Sequence, residues 1–228
     1  MKPILRSLLP DRTIPSRILR GPFRGATVHL NPRHSLRKIL GLYEHELNGW
    51  LEKVLPRVNT VIDVGANEGY FTFGCAAAFR RLNQSGEIIA FEPEIQAFES
   101  LRLGLRDQQS DSVRISLHRS FVGSQVSVGK TTLDEFAQGG RIADLENALI
   151  KIDVEGAELD VIAGASLWLN PSNYFLIEVH WDESFLTRLN ESFHDRGLRL
   201  RQINQKALPI LGYEARGRNQ WWLVSKEA

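Results

Sequence analysis

Val61-Ile62-Asp63-Val64-Gly65-Ala66-Asn67-Glu68-Gly69-Tyr70-Phe71-Thr72 begins as a short apolar run, meets a carboxylate and turns through two glycines into a helix-like segment. Three further runs have the same shape: Ile88 to Glu92, Leu149 to Asp153 and Phe175 to Glu178. Apolar runs of this length, separated by helical patterns, read as the inner strands of an open parallel sheet, and such sheets bind ligands outside the carboxyl ends of their strands. The functional rim is therefore expected to be lined with acids. That favours a cationic or polyhydroxylated ligand over one that presents phosphates.

The turn itself narrows the ligand. Gly65 and Gly69 permit positive φ and close approach to the backbone, and Asn67 is among the few other residues that tolerate the left-handed region. The spacing is G-x-x-x-G, whereas a dinucleotide fingerprint is G-x-G-x-x-G with the pyrophosphate at a helix N-terminus. Asp63 and Glu68 stand where that pyrophosphate would lie, which is electrostatically wrong for NAD and suits a ligand with a positive charge and a ribose. Glu92 ends the next run, 29 positions beyond Asp63, where a carboxylate can accept both ribose hydroxyls. Between them Gly69 to Leu82 reads as a helix with Phe71, Cys75, Ala78 and Leu82 on one face, followed by a polar turn from Asn83 to Gly86.

Taken together, Val61–Phe71 (VIDVGANEGYF), Ile88–Glu94 (IIAFEPE), Thr131–Ala137 (TTLDEFA), Leu149–Ala165 (LIKIDVEGAELDVIAGA) and Phe175–Trp181 (FLIEVHW) resemble the FkbM family of S-adenosylmethionine-dependent methyltransferases, most of whose characterised members methylate hydroxyl groups. The resemblance runs over about residues 40 to 181. It implies an α/β, Rossmann-like seven-stranded methyltransferase fold, a mostly parallel sheet with helices on both faces and a reversed hairpin after the fifth strand. It also implies that the loop from Asp63 through Gly65, Asn67 and Glu68 to Gly69 holds the methionine part of the cofactor, and that Glu92 binds its ribose. The rest of the chain is compatible: Ser184 to Arg196 looks helical, Leu198 to Ile203 alternates, and Gln220 to Ser225 reads as a last edge strand. One departure is the connection between the third strand, near Val113 to Leu117, and Thr131. Relatives carry a longer one, and here only Phe121 to Lys130 is left, which touches the substrate class and not the cofactor loop.

Composition fits one soluble domain: 228 residues, 43% hydrophobic and 24% charged, with a net charge of +1 that gives no support for a nucleic-acid partner. The single Cys75 reads as a small core residue. No apolar stretch approaches the ~20 residues needed to span a bilayer, and the start of the chain lacks a secretory signal pattern, so no membrane insertion and a cytoplasmic location are expected. Residues 1–33 are expected to be a basic arm, and 34–228 the methyltransferase domain. Arg6, Arg12, Arg17, Arg20 and Arg24, with Pro10, Pro15 and Pro22, predict a solvated, irregular segment; the apolar Ile4, Leu8 and Leu9 between the arginines carry the alternative that it packs near the substrate mouth or on an anionic surface. From His34 to Val54 apolar residues recur at helical spacing, interrupted near Gly41. In methyltransferases of this fold such a segment lids the cofactor, which makes Tyr43 and Glu44 candidates to face the site.

The chemistry is expected at the rim formed by Asp153, Glu178 and His180, the candidate catalytic residues. An acceptor hydroxyl must lose its proton, and His180, at the end of its strand, is the candidate general base, with Asp153 to orient it or bind the hydroxyl. The same donors could hold a divalent metal, which nothing in the spacing demands; a metal is not favoured and no metal ligand is assigned. Glu155 and Gly156 are expected to open the following helix, and Lys151, inside its strand, to snorkel. The function read from the sequence is S-adenosylmethionine-dependent O-methylation of a small-molecule or saccharide hydroxyl. An N- or RNA methyltransferase is the alternative, weakened because Asp153-Val154-Glu155-Gly156 stands where a Pro-Pro-Tyr acceptor loop would be; a non-catalytic cofactor-binding module is the other.

Overall fold

The computed structural model describes residues 9–108, 112–141, 145–180, 183–209, 212–217 and 220–226. Its first elements correct the expectation of an irregular arm. β1 (Ile14–Arg17) and β2 (Thr27–Leu30) pair antiparallel, Pro15 opposite His29. Proline is tolerated because β1 has a partner on one side only and needs no second row of N–H donors. Arg17, Arg20 and Arg24 face solvent while Ile18, Phe23, Val28 and Leu30 are buried, so charge and core alternate along the same segment. Phe23 seats its ring against Gly74, where an added Cβ would lie 2.4 Å from that ring. Ile4, Arg6 and Leu8 lie outside the described residues, as does Trp181.

The segment before the central sheet forms α1 (Leu36–Ile39), a 3-10 turn at His45–Leu47 and α2 (Asn48–Val54). Gly41 stands at φ 67° between them, where a Cβ would lie 2.1 Å from the Arg20 carbonyl oxygen. The chain then alternates: β3 (Thr60–Val64), α3 (Tyr70–Arg81), β4 (Gly86–Phe91), α4 (Ile95–Leu105), β5 (Val113–His118), a small parallel pair β6 (Phe121–Val122) and β7 (Lys130–Thr131), α5 (Leu133–Phe136), β8 (Ala148–Ile152), α6 (Glu158–Ala163), β9 (Tyr174–Val179), α7 (Glu183–His194), β10 (Arg201–Ile203) and β11 (Trp221–Val224).

Seven strands make one sheet in the order β10-β11-β9-β8-β3-β4-β5. β8, β9, β3, β4 and β5 pair parallel, and β11 runs antiparallel to both its neighbours. Alternate residues of each inner strand feed two cores. Val61, Ile88, Leu149 and Leu176 pack on the face that carries α2, α3 and the β1–β2 hairpin; Ile62, Ile89, Ile150 and Ile177 pack on the face that carries α5, α6 and α7. Both faces are covered, which is why these strands read as continuous apolar runs.

Two expectations change. The last strand is not at the edge: β11 inserts between β9 and β10, with Trp222, Leu223 and Val224 buried, while the edge position falls to β10, whose Arg201 and Gln202 are exposed. A polar strand is the better edge because its free backbone groups stay wet. Leu82 is exposed, since α3 ends at Arg81. Among the described residues no helix is long and apolar enough to cross a membrane.

Candidate active site at the switch point of the sheet

The strand order reverses between β3 and β8, the place where an open α/β sheet leaves a crevice. The Gly65–Gly69 turn lines it. Gly65 (φ 82°), Asn67 (φ 49°) and Gly69 (φ 90°) all adopt left-handed backbone, and a Cβ on Gly65 would lie 1.8 Å from the Asp153 carbonyl oxygen. The N–H groups of Gly65 and Ala66 both donate to the Phe91 carbonyl at 3.0 Å. Asn67 N–H donates to Glu92 Oε2 (2.7 Å) and Glu94 N–H to Glu92 Oε1 (2.9 Å). The turn and Glu92, separate motifs in the sequence, are thus tied into one unit. Glu92 lines a cavity of about 400 Å³ together with Gly65, Asn67, Ser120, Phe121 and Asp153.

Behind the turn lies a buried ionic network. Asp63 is fully buried and borders none of the site's cavities: its Oδ2 accepts from Thr72 Oγ1 (2.5 Å) and its Oδ1 lies 3.3 Å from Lys151 Nζ. Lys151 does not snorkel. Its strand is central, no surface is within reach, and Nζ donates to the Gly65 carbonyl (2.6 Å) and lies 3.2 Å from Asp153 Oδ2. Burial alone would drive the ammonium toward neutrality, but the Asp153 and Asp63 carboxylates outweigh it and hold the pKa above the usual lysine value. Asp63 therefore shapes the turn from behind, while Lys151 and Glu68, the latter paired with Lys38, lie on the cavity wall.

The structure brings Asp153, Glu178 and His180 together. His180 Nδ1 lies 2.8 Å from Oε1 of the fully buried Glu158, and its Nε2 is 3.9 Å from Asp153 Oδ1, 3.6 Å from Glu155 Oε2 and 3.9 Å from Glu178 Oε2. Burial works against a charge on the ring, but Glu158, Glu178 and Glu155 overcome it and hold the imidazole protonated well above its ordinary range. Burial and then Asp153 push the Glu178 carboxyl upward. Glu155 does not open α6, which begins at Glu158; it sits in a left-handed turn (φ 53°) followed by Gly156 (φ 107°).

With this geometry in place the comparisons become informative. A family model, the methyltransferase FkbM domain, matches residues 103–202. The matched segment is under half of the chain, so over these residues the chain is similar to that family. Among solved structures it is similar to methyltransferase FkbM from Methylobacillus flagellatus KT, at 20% identity and a TM-score of 0.56, over 75% of this chain and 44% of that one. The chain thus spans less than half of that protein's length, and the likeness is one of fold, a Rossmann-like α/β sheet. Precorrin-6y C5,15-methyltransferase from Geobacter metallireducens GS-15 aligns at 15% identity and a TM-score of 0.49, over 78% of this chain and 87% of that one. Aeropyrum pernix fibrillarin, in complex with S-adenosyl-L-methionine, aligns at 14% identity and 0.49, over 75% and 68%. No curated protein matches the sequence.

The family match begins beyond the Gly65 turn, and the structure adds to the site a wall that no motif announced. A second, smaller cavity of about 70 Å³ adjoins the first at Gly65, Asn67 and Asp153. Tyr43 and Glu44 line it as candidates, joined by Phe23 from the hairpin and by Tyr70. Tyr70 packs edge-on against both Phe23 (5.4 Å) and Tyr43 (5.5 Å), and Lys38 Nζ lies 4.9 Å over the Tyr43 ring. Burial, then Glu178, pushes the Glu44 carboxyl up to about 8, against the pull of Arg216. Arg216, from the segment between β10 and β11, pairs with Glu46 at 2.6 Å and closes this side. Arg216, Phe23 and Glu158 were not legible as site residues, since each meets its partner only through tertiary packing.

Proposed function

We propose that this FkbM domain protein is an S-adenosylmethionine-dependent O-methyltransferase acting on a hydroxyl of a small molecule or saccharide. The observation that carries the reading is the pair of cavities meeting at Gly65, Asn67 and Asp153. The larger holds a carboxylate, Glu92, with lone pairs left for ribose hydroxyls beyond its two backbone bonds. The smaller is lined by Glu44, Glu68 and Asp153 beside Lys38, a mixed-charge wall that suits the ammonium and carboxylate of a methionine. The cradle is real in the steric sense: only a residue without Cβ leaves room at position 65. When bound, the cofactor supplies a methyl group on a positively charged sulfur.

The chain's own work is then alignment and removal of one proton. Holding the acceptor oxygen in line with the methyl is worth roughly 7 to 11 kcal/mol, and in this reading the rim of Asp153, Glu178 and His180 would hold that oxygen. As the acceptor oxygen took the methyl in exchange for the carbon–sulfur bond, the rim would accept the acceptor's proton. The same rim argues against RNA as acceptor. Asp153, Glu155, Glu92 and Glu94 line the larger cavity, and they would repel the phosphates that dominate nucleic-acid affinity.

Glu92→Gln tests the cofactor assignment while keeping the side chain's shape. It is expected to weaken S-adenosylhomocysteine binding by about 1.5 to 3 kcal/mol, the cost of losing hydrogen bonds to a charged group, with an unchanged circular dichroism spectrum. Unchanged affinity in a natively folded variant would remove Glu92 from the ribose site.

A further inference from the structure

We infer that Asp153, Glu155 and His180 form a binding site for one first-row divalent cation, with Glu178 beside it. One ligand atom from each of the three lies within 4.8 Å of the others. The contacts of His180 Nε2 with the carboxylates, 3.6 to 3.9 Å, are too long for hydrogen bonds. They are, however, the separations that two donors show when each sits ~2.1 Å from a shared ion. Nε2 is itself sealed from water and makes no hydrogen bond, an arrangement that costs a buried nitrogen dearly unless something binds it.

The surroundings favour a ligand role for that nitrogen. Glu158, fully buried, accepts the Nδ1 proton's hydrogen bond at 2.8 Å, which fixes the ring, so that an ion binding Nε2 would displace that nitrogen's proton to solvent and take its lone pair; carboxylate, imidazole and metal in series is the usual outer-shell pattern. Asp153 and His180 extend from the ends of neighbouring strands β8 and β9, so their spacing is set by the sheet. Glu178, 5% exposed at its side chain, adds a carboxylate pressed toward Asp153. With carboxylate oxygens in the majority and one imidazole, the set suits an oxygen-seeking first-row cation such as Mn²⁺. At the acceptor rim the ion would draw the acceptor oxygen in and ease loss of its proton. That consequence rests on the methyltransferase reading; the binding itself does not.

The test is titration of the full chain, freed of metal by chelator and dialysis, with Mn²⁺, followed by calorimetry and by loss of the free-ion electron paramagnetic resonance signal. One ion per chain is expected at micromolar concentration. His180→Ala and Asp153→Asn should each weaken it at least 10-fold, and Glu158→Gln by 10- to 100-fold, the range for outer-shell partners. Circular dichroism spectra and urea midpoints of the same variants should stay close to the parent's, which shows that they fold. Absence of binding at millimolar Mn²⁺, or binding indifferent to both His180→Ala and Asp153→Asn, would overturn the site. A chain that takes the ion but not the sulfur nucleoside would sink the methyltransferase reading and leave this one standing.

Discussion

Lys151→Met is expected to cost about 3 to 5 kcal/mol of folding stability, the range for removing one partner of a buried ion pair. The lysine neutralises two carboxylates at once, Asp63 at 3.3 Å and Asp153 at 3.2 Å, and also holds the Gly65 carbonyl at 2.6 Å. Methionine fills the same volume, so packing alone predicts little change; what is lost is the countercharge of Asp63, which has no route to water. Since a domain of this kind has about 5 to 15 kcal/mol in total, the variant would be marginal. Urea unfolding read by circular dichroism measures it. Adding Asp63→Asn to Lys151→Met should recover part of the loss, because the orphaned charge goes with it. A cost below about 1 kcal/mol, with no recovery in the double variant, would show that the network is not what holds the turn.

The second large effect is catalytic. Asp153→Asn is expected to lower turnover at saturating S-adenosylmethionine by about 10²- to 10⁴-fold, the range for loss of a group that handles the proton. Asp153 borders both cavities, touches Lys151 through one oxygen and faces His180 through the other, so it links cofactor and acceptor sides. Saturating cofactor separates this from weakened nucleoside binding, and the urea midpoint of the same variant controls for the lost Lys151 contact. Turnover within threefold of the parent would remove Asp153 from the acceptor site and leave alignment by other groups as the source of rate.

Much of this architecture was legible because it is local. The apolar runs that end at Asp63, Glu92, Asp153 and Glu178 are inner strands with two buried faces, and a Gly-x-x-x-Gly turn between a strand and a helix needs left-handed backbone wherever it occurs. What escaped depends on distance along the chain. The β1–β2 hairpin hid behind its arginines: Arg17 is an outward residue of β1 and Arg20 and Arg24 lie exposed in the connection, while Ser16 and, just past the strand, Ile18 are buried. The place of β11 between β9 and β10 is a pairing choice with no local signature. Lys151 looked like a surface residue caught in a strand because its main acceptor, the Gly65 carbonyl, is 86 positions away. Glu158 carried no motif of its own, since its partner His180 lies 22 positions further on, and without that contact the ring's orientation is undefined.

The account stands on the two cavities around the Gly65 turn receiving a sulfur nucleoside. Isothermal calorimetry of the parent chain with S-adenosylhomocysteine, S-adenosylmethionine and NAD measures this directly. Binding of both sulfur nucleosides with one site per chain and micromolar affinity, and no heat with NAD, is the predicted result. Binding of NAD with no response to either sulfur nucleoside would contradict it.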